Sequence, residues 1–203
     1  MNSQGSAAVG AVGARQSAGI SSQSPWLVPA AFVAVLAITW FSTLGLRALI
    51  SPDEGRYASL SLGMLQSGDW ITPRLNGILY FEKPVLQYWI GALGFKLLGV
   101  SEFSARIWPA LAAWLTTVAV GVTAARLWGR ETGVPALALC GSVTWIMGNG
   151  LYLTLDSGLG LWLTLVLCAV LLAHRPGASA AEQGNWILGA WGALALAELA
   201  KGV

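Results

Sequence analysis

Long apolar runs alternate with short polar stretches along most of the chain. As helices rising about 1.5 Å per residue, these runs cover most or all of a hydrocarbon layer about 30 Å thick. Backbone polar groups in lipid must be satisfied within the segment itself, so helices are the expected structure. The pattern predicts five membrane-spanning helices, at about residues 26–49, 104–128, 134–152, 158–173 and 186–200.

The composition indicates that lipid is the solvent for much of the chain. Of its 203 residues, 56% are hydrophobic and 10% are charged, and the mean hydropathy is +0.66, whereas soluble domains carry about 25% charged residues. The cations are scattered and form no basic stripe, which argues against nucleic acid as a partner. We therefore predict an all-α, polytopic transmembrane fold for residues 26–203. Residues 1–25 are rich in Ser, Gly, Ala and Gln and predict a flexible tail.

The apolar stretch Pro84–Gly99 allows two interpretations. As a helix of about 16 residues it would rise only about 24 Å, which is less than the hydrocarbon thickness. If it spans the membrane, the polar segment before it and Asp156 face opposite sides. If it lies in the interface, they share one side, and the short loops around Arg130 and Arg175 lie inside with the tail. Short cytoplasmic loops favour Lys and Arg, so we adopt the interfacial interpretation, although the long segment 50–106 also holds cations.

On this interpretation, residues 52–103 form an outer loop with helices lying along the membrane surface. The first is predicted at Asp53–Gln66, because Pro52 precedes it, acidic residues occupy its first turn and Gly68 ends it. Apolar side chains recur there at helical spacing, at Tyr57, Leu60, Met64 and Leu65. One face of this helix can therefore rest on the membrane, and a loop follows at Asp69–Glu82.

Charged residues concentrate in the first part of this outer loop. Between residues 53 and 83 the chain holds Asp53, Glu54, Arg56, Asp69, Arg74, Glu82 and Lys83. An extramembrane loop is often simply polar, and this interpretation stands beside a functional one. Function is favoured because Asp53-Glu54 directly follows a predicted spanning helix and Glu82-Lys83 directly precedes the apolar helix. Both acidic pairs are thus expected at the level of a lipid head group.

Asp156 stands alone between two apolar helices. A carboxylate at the centre of a membrane helix costs about 2.5–3.5 kcal/mol, so an acid near hydrocarbon is a functional candidate. An alternative is that Asp156 caps a helix beginning at Gly158. The two roles are compatible, and the residue alone does not choose between them.

Interleaved anions and cations at a membrane surface suit a phosphorylated lipid as ligand. Carboxylates act as general bases towards hydroxyl groups or bind divalent metals, and Arg and Lys side chains bind phosphate. A proton pathway would instead place its carboxylates along the helices at membrane depth. Two classes remain open from the residues alone: an enzyme acting on a lipid phosphate, and a transporter that binds such a lipid without chemistry.

Several motifs carry a family resemblance. Residues 51–58 read Ser-Pro-Asp-Glu-Gly-Arg-Tyr-Ala, residues 68–70 read Gly-Asp-Trp, and residues 80–89 read Tyr-Phe-Glu-Lys-Pro-Val-Leu-Gln-Tyr-Trp. Leu155-Asp156-Ser157 is similar to a second acidic motif, and Lys201-Gly202 to the start of a Lys-Gly-Pro motif. Over nearly all of the chain from about residue 26, the sequence resembles the N-terminal region of membrane GT-C glycosyltransferases that use polyprenyl-phosphate sugars. This group contains the bacterial aminoarabinose transferases of lipid A and the protein O-mannosyltransferases.

The resemblance implies a glycosyltransferase of the bacterial inner membrane whose active site faces the periplasm. Its donor would be a sugar on an undecaprenyl (polyprenyl) phosphate. Its acceptor would be lipid A or another glycolipid, or a protein in the O-mannosyltransferase type. The resemblance also agrees with interfacial helices in the first outer loop.

The same resemblance implies roles for individual residues. Asp53, Asp156 and Glu54 would be the catalytic acids. The substrate-binding residues would be Arg56, Tyr57, Glu82 and Lys83. Glu82 is also the residue expected beside a divalent metal, if the enzyme uses one as cofactor. Val85 departs from the common family pattern, which has a second proline there, and this changes the stiffness of the backbone without affecting a charge.

Overall fold

A computed structural model describes residues 27–202, with side chains from residue 30 onward, so the predicted tail lies outside the described residues. The helices are α1 Leu27–Ser42, α2 Asp53–Ser67, α3 Leu86–Leu98, α4 Glu102–Trp128, α5 Gly133–Ser142, α6 Thr144–Gly150, α7 Asp156–Ala173 and α8 Ala180–Lys201. A 3-10 turn covers Arg130–Thr132. The chain divides into two compact units at Val35, within α1. The packing among helices α2 to α8 lies within the second unit. The structure is therefore mostly helical, as predicted.

A short β-hairpin lies within the segment predicted as a loop. Strands β1 (Arg74–Leu75) and β2 (Ile78–Leu79) are antiparallel and pair Arg74 with Leu79. The turn residues are Asn76 and Gly77, both with positive φ, which is the backbone that a two-residue hairpin turn requires.

Helix α2 begins and ends where local signals predict. It starts at Asp53, and Gly68 closes it with φ +73° and a hydrogen bond from its N–H to the carbonyl oxygen of Met64. Glycine adopts this left-handed backbone without the strain that a Cβ would add. The acids in the first turn lie at the positive end of the helix dipole, where negative charge is favourable.

Helix α3 packs closely against α2. Leu60 and Met64 of α2 form a buried cluster with Tyr88 and Ala92 of α3. A Cβ placed at Gly91 would lie 2.5 Å from Oγ of Ser61, so the absence of a side chain allows this approach. Helix α3 has 13 residues and rises about 20 Å, which is too short to cross a bilayer unless the membrane thins or adjacent residues extend the span.

Two helices in the described part of the chain are long and apolar enough to cross a membrane, α4 and α7. Helix α4 begins with a capping box, in which Oγ of Ser101 accepts from the Ser104 N–H and Oγ of Ser104 accepts from the Ser101 N–H. Helices α5 and α7 pack against α4, and α8 packs against α7. The remaining three predicted spans stay predictions.

Three helix boundaries differ by more than two residues from those predicted by the apolar pattern, and one of them is the start of α8, at Ala180 instead of about residue 186. Helix α1 ends at Ser42 instead of continuing to about residue 49, and Arg106 binds the carbonyl oxygens of Leu44, Arg47 and Ala48 in the segment that follows. The helix predicted over 134–152 breaks at Val143, whose backbone is extended. The residues just before the break are glycine and serine, which are weak helix formers.

Candidate functional site

The first turn of α2 holds an ion pair and an aromatic side chain side by side. Nη2 of Arg56 lies 2.5 Å from Oδ1 of Asp53, and both side chains are partly exposed. The guanidinium carbon of Arg56 lies 5.2 Å from the ring centroid of Tyr57. The Tyr57 ring in turn stacks on Tyr88 of α3, with centroids 6.4 Å apart. Helical spacing explains the pair, since residues three apart are neighbours on a helix.

The segment before α3 adds a second acid to this cluster. The Tyr80 hydroxyl donates to Oε2 of Glu82 at 2.6 Å. Burial raises the pKa of Tyr80 to about 12, assisted by this hydrogen bond to Glu82. Burial acts to lower the pKa of Arg56, but the charges of Tyr57, Tyr80, Asp53 and Glu82 outweigh it and raise that pKa. The structure therefore brings Asp53, Arg56, Tyr57 and Glu82 together with Tyr80.

Two buried donors in this cluster have no hydrogen-bond partner among the described residues. They are Nε of Arg56 and the hydroxyl of Tyr88. Tyr88 is fully buried, and its pKa is raised, mainly by burial. Buried donors are normally satisfied, and here they suit the oxygen atoms of a ligand or water. Sequence reasoning missed Tyr80 and Tyr88 as site residues, although both belong to the motif at residues 80–89 that carries the resemblance.

Asp156 forms a second ion pair, with a residue from the far end of the chain. It is the first residue of α7, and its Oδ1 pairs with Nζ of Lys201, the last residue of α8. The alternative in which Asp156 caps a helix beginning at Gly158 is therefore wrong, because α7 begins at Asp156 itself and its N-cap residue is Leu155. Lys201 was missed as a site residue, and the only signal for it was the Lys-Gly motif.

The end of α8 also approaches the segment that carries Glu82 and Lys83. A Cβ at Gly202 would lie 3.9 Å from Cγ of Pro84, the residue after Lys83. The Lys83 side chain is half-buried and makes no hydrogen bond or ion pair with the residues that the structure describes. Its ammonium group therefore has no partner among the residues that the structure describes.

Glu54 lies inside the protein, next to Asp53 in the chain. Its Oε1 accepts from Nε of Arg106 at 2.8 Å and from the Leu153 N–H at 2.9 Å. Its Oε2 accepts from Arg47 at 2.5 Å, from the Ile50 N–H at 2.8 Å and from Arg106 at 3.0 Å. The carboxylate is 0% exposed, so this geometry favours a structural role over the predicted catalytic one.

These contacts determine the ionisation of Glu54. Burial acts to raise its pKa, but hydrogen bonds from Arg106 and Arg47, together with the two backbone N–H groups, outweigh burial and lower the pKa from 4.5 to about 2. Glu54 therefore carries a negative charge that is matched by two guanidinium groups. This pairing is the condition for a charge to be tolerated in the interior.

The predicted metal at Glu82 stays a prediction. Within residues 30–202, no group of three or more His, Cys, Asp or Glu side chains is placed to hold a metal ion. The side chains grouped with Glu82 are Asp53, Arg56, Tyr57 and Tyr80. Asp53 already pairs with Arg56, so the set does not match the oxygen-rich ligand set that a divalent cation prefers.

Known proteins are similar to this chain in sequence and in fold. The undecaprenyl phosphate-alpha-4-amino-4-deoxy-L-arabinose arabinosyl transferase 2 of Sodalis glossinidius (strain morsitans) is 39% identical over 136 residues, which are 66% of this chain and 25% of that protein. The crystal structure of ArnT from Cupriavidus metallidurans in the apo state has a TM-score of 0.85 and 35% identity, covering 90% of this chain and 34% of that one. The structure of that protein bound to undecaprenyl phosphate has a TM-score of 0.82 and 35% identity, covering 89% and 33%.

The chain thus spans only about a quarter of the length of the Sodalis relative that it matches. A family model covers nearly all of it, however. Residues 26–203 match the model described as dolichyl-phosphate-mannose-protein mannosyltransferase. This chain belongs to the dolichyl-phosphate-mannose-protein mannosyltransferase (PMT) family.

Proposed function

We propose that this chain forms part of a membrane glycosyltransferase that moves a sugar from a polyprenyl phosphate to an acceptor. The observation that carries the proposal is the Asp53–Arg56 pair, with the unpartnered donors of Arg56 and Tyr88 beside it. A carboxylate suits an acceptor group, and nearby donors and cations suit a phosphate. One of the structural neighbours holds undecaprenyl phosphate, which supports this class of donor.

The reaction is a displacement at the anomeric carbon of the sugar. The acceptor oxygen forms a new bond to that carbon, while the bond from the carbon to the phosphate oxygen breaks. The electron pair of the broken bond stays with the lipid phosphate, which leaves with one more negative charge. Cations near the leaving oxygen stabilise the charge that grows in the transition state.

Asp53 is the residue proposed to handle the acceptor. A neutral hydroxyl acceptor loses its proton as it attacks, and the Asp53 carboxylate takes that proton as general base. A phosphate acceptor is already anionic and needs no base, so Asp53 then acts together with Arg56 in positioning it. The 2.5 Å contact keeps the guanidinium directly beside the carboxylate in either case.

The carrier phosphate is assigned to the cations. Arg56 presents a planar fork of N–H donors, of which Nε has no partner in the described structure. Lys83 lies next to Pro84, which the end of α8 approaches. Lys201 brings a further ammonium group near this segment while paired with Asp156. We assign Glu54 to holding the site together and not to the chemistry, because the interior pairs use both of its oxygens.

The names of the relatives favour aminoarabinose as the sugar, and lipid A is the acceptor that we propose with it. A second candidate, transfer of a hexose to protein hydroxyl groups, is favoured by the description of the family model that matches residues 26–203. Both candidates use the same donor class and differ in the acceptor, which we assign to Asp53 and, where the acceptor is a phosphate, to Arg56 beside it.

We also propose a topology. The protein crosses the bacterial inner membrane several times, with residues 52–103 and Asp156 on the periplasmic side. Helices α2 and α3 lie along the membrane surface. Support comes from the length of α3, which has only 13 residues. It also comes from the packing of α3 on α2, which gives α3 a contact surface outside the long apolar helices. The large exposed side chains around the hairpin, Ile71, Ile78, Leu79 and Phe81, are those expected of a segment that meets lipid.

The test is transfer of labelled sugar in membranes that contain the protein. Membranes are given radiolabelled undecaprenyl-phosphate sugar, and label is counted in lipid A and in protein. We expect Asp53→Asn to reduce transfer by at least about 100-fold, since it removes the base or the positioning charge. Asp69→Asn is the matched control, because its Oδ1 can still accept from the N–H groups of Ile71 and Thr72.

Each outcome decides between the candidates. Label in lipid A supports the first candidate, and label in protein supports the second. Retention of the intact donor by the membranes with no release of sugar would overturn the enzyme proposal in favour of a lipid-binding transporter. Unchanged transfer by Asp53→Asn would overturn the assignment of Asp53.

A further inference from the structure

We infer that the first turns of α4 hold Asp53 and Asp156 in a defined relative position, with Arg106 and Gln87 as positioning residues. The inference rests on the proposed function, because it assumes that both acids serve one reaction. The hydrogen bonds of Arg106 and Gln87 go to groups other than Asp53, Arg56 and Glu82. Each acts through hydrogen bonds to the backbone or side chain next to one of the two acids.

The first arm runs from Arg106 to the chain around Asp53. Arg106 is 1% exposed and donates to both oxygens of Glu54, at 2.8 and 3.0 Å. Its remaining donors reach the carbonyl oxygens of Leu44 at 2.7 Å and of Arg47 and Ala48 at 2.8 Å. One guanidinium thus binds the residue after Asp53 and the segment before it. Planar bidentate contacts of this kind restrict orientation as well as distance.

The second arm begins two residues later on the same helix. Nε1 of Trp108 donates to Oε1 of Gln87 at 2.8 Å, and Nε2 of Gln87 donates to the carbonyl oxygen of Thr154 at 3.3 Å. Oγ1 of Thr154 in turn accepts from the N–H of Asp156 at 3.2 Å. Gln87 is buried and belongs to α3, so this arm joins α3, α4 and the start of α7.

Further hydrogen bonds connect the first arm to the short segment that precedes Asp156, which the second arm also contacts. Oε1 of Glu54 accepts from the N–H of Leu153 at 2.9 Å. Arg47 donates to the carbonyl oxygen of Leu151 at 2.9 Å, while its other nitrogen binds Glu54. Residues 151–154, which lead into Asp156, are therefore held from the side of Asp53 as well as from Gln87. A displacement of α2 would pull on this segment and so on Asp156.

The first turn of α7 is shaped to accept the second arm. A Cβ placed at Gly158 would lie 3.1 Å from Nε1 of Trp108 and 3.4 Å from Oε1 of Gln87. The glycine two residues after Asp156 thus allows the Gln87–Trp108 hydrogen bond to pack directly on the helix. The Trp108 ring also contacts the Trp162 ring on α7, with centroids 6.1 Å apart. A methyl group at Gly158 would push this arm away from Asp156.

Small displacements at a reaction centre are costly, since a shift of about 1 Å can reduce the rate about 100-fold. Gly158→Ala adds one methyl group against the arm, and Gln87→Leu removes its hydrogen bonds at similar volume. We expect each to lower kcat at least about tenfold, with KM for the lipid-linked sugar changed less than about twofold. Gly189→Ala is the matched control, because no atom lies within 4 Å of a Cβ placed there.

The rate measurement separates positioning from folding. Alanine is a better helix former than glycine, so Gly158→Ala does not destabilise α7 through helix propensity. A lower kcat in this variant therefore reports the displaced hydrogen bonds and not a less stable helix. Gln87→Leu carries the test if the added methyl group prevents folding of the first variant. If wild type transfers sugar and both variants keep the kcat of the Gly189→Ala control, the inference is overturned while the proposed function stands.

A distance measurement tests the inference independently of activity. Spin labels on Cys at Ser59 of α2 and Leu167 of α7, both exposed, report the separation of the two helices after Cys140 and Cys168 are replaced by Ala. We expect Gly158→Ala and Gln87→Leu to shift or broaden the distance distribution relative to wild type and Gly189→Ala. An unchanged distribution would overturn the inference, even in a protein that proves to have no transferase activity.

Discussion

Replacing Arg106 by Met tests the physical basis of the buried ion pair most directly. Met has a similar length without the charge, so it removes the hydrogen bonds to Glu54 and to three backbone carbonyls while filling most of the volume. Removing one partner of a buried pair leaves an uncompensated charge and costs about 3–5 kcal/mol. In a protein of this size, about 1 kcal/mol shifts Tm by about 2–4 °C, so we expect a loss of roughly 6–20 °C.

A matched control separates burial from charge. Nη2 of Arg175 lies 2.5 Å from Oε1 of Glu182, but both side chains are partly exposed. Exposed pairs contribute about 0–1 kcal/mol, so Arg175→Met should move Tm by only a few degrees. Adding Glu54→Met to Arg106→Met removes the orphaned carboxylate, and the double variant should lose less than the sum of the two single changes.

The assay is thermal unfolding of the purified protein in detergent, followed by tryptophan fluorescence. A Tm of Arg106→Met equal to that of Arg175→Met would refute the reasoning. It would mean that the interior around Glu54 is hydrated or that the segment at residues 44–48 finds other partners. A double variant that loses the full sum of both single changes would show that the two charges stabilise the protein independently.

Three further outcomes are expected from the same structure. The pKa of Glu54 is lowered from 4.5 to about 2, so its ionised form contributes about 3 kcal/mol near neutral pH, and unfolding measured against pH should show this lost between about 4.5 and about 2. Gly91→Ala should cost about 1–3 kcal/mol in thermal unfolding, because its Cβ would lie 2.5 Å from Oγ of Ser61, whereas Gly189→Ala should cost nothing. Tyr88→Phe removes an unpartnered hydroxyl and should leave Tm unchanged or higher, while weakening the binding of polyprenyl phosphate in a titration; unchanged affinity would show that this hydroxyl does not face the ligand.

The predictions that agree with the structure rest on local signals. Helix α2 begins at Asp53 and ends before Gly68 because a proline, first-turn acids and a glycine act on the few residues beside them. The contact between Asp53 and Arg56 was not predicted, but it is local too, because residues three apart are neighbours on a helix. The mostly helical character follows from composition, because backbone N–H and C=O groups in lipid must hydrogen-bond to one another.

The predictions that differ concern residues whose partners are distant in the chain. The acids of the pair Asp53-Glu54 look equivalent in sequence, yet one is partly exposed and the other is fully buried. The difference comes from Arg106, which is 52 residues from Glu54. No periodicity or motif identifies that arginine as a partner, because its role depends on where α4 packs.

The sequence by itself determined that the chain is helical and apolar, where α2 begins and ends, and which segment carries the acids and cations. Only the tertiary structure decided which charges pair inside the fold and which stay partly exposed. Lys201 meets Asp156 across 45 residues, and Arg106, on α4, binds the carbonyl oxygens of Leu44, Arg47 and Ala48 in the segment after α1. The physical reason is that local backbone preferences act over a few residues, whereas a buried charge must find its partner wherever the packing of helices places one.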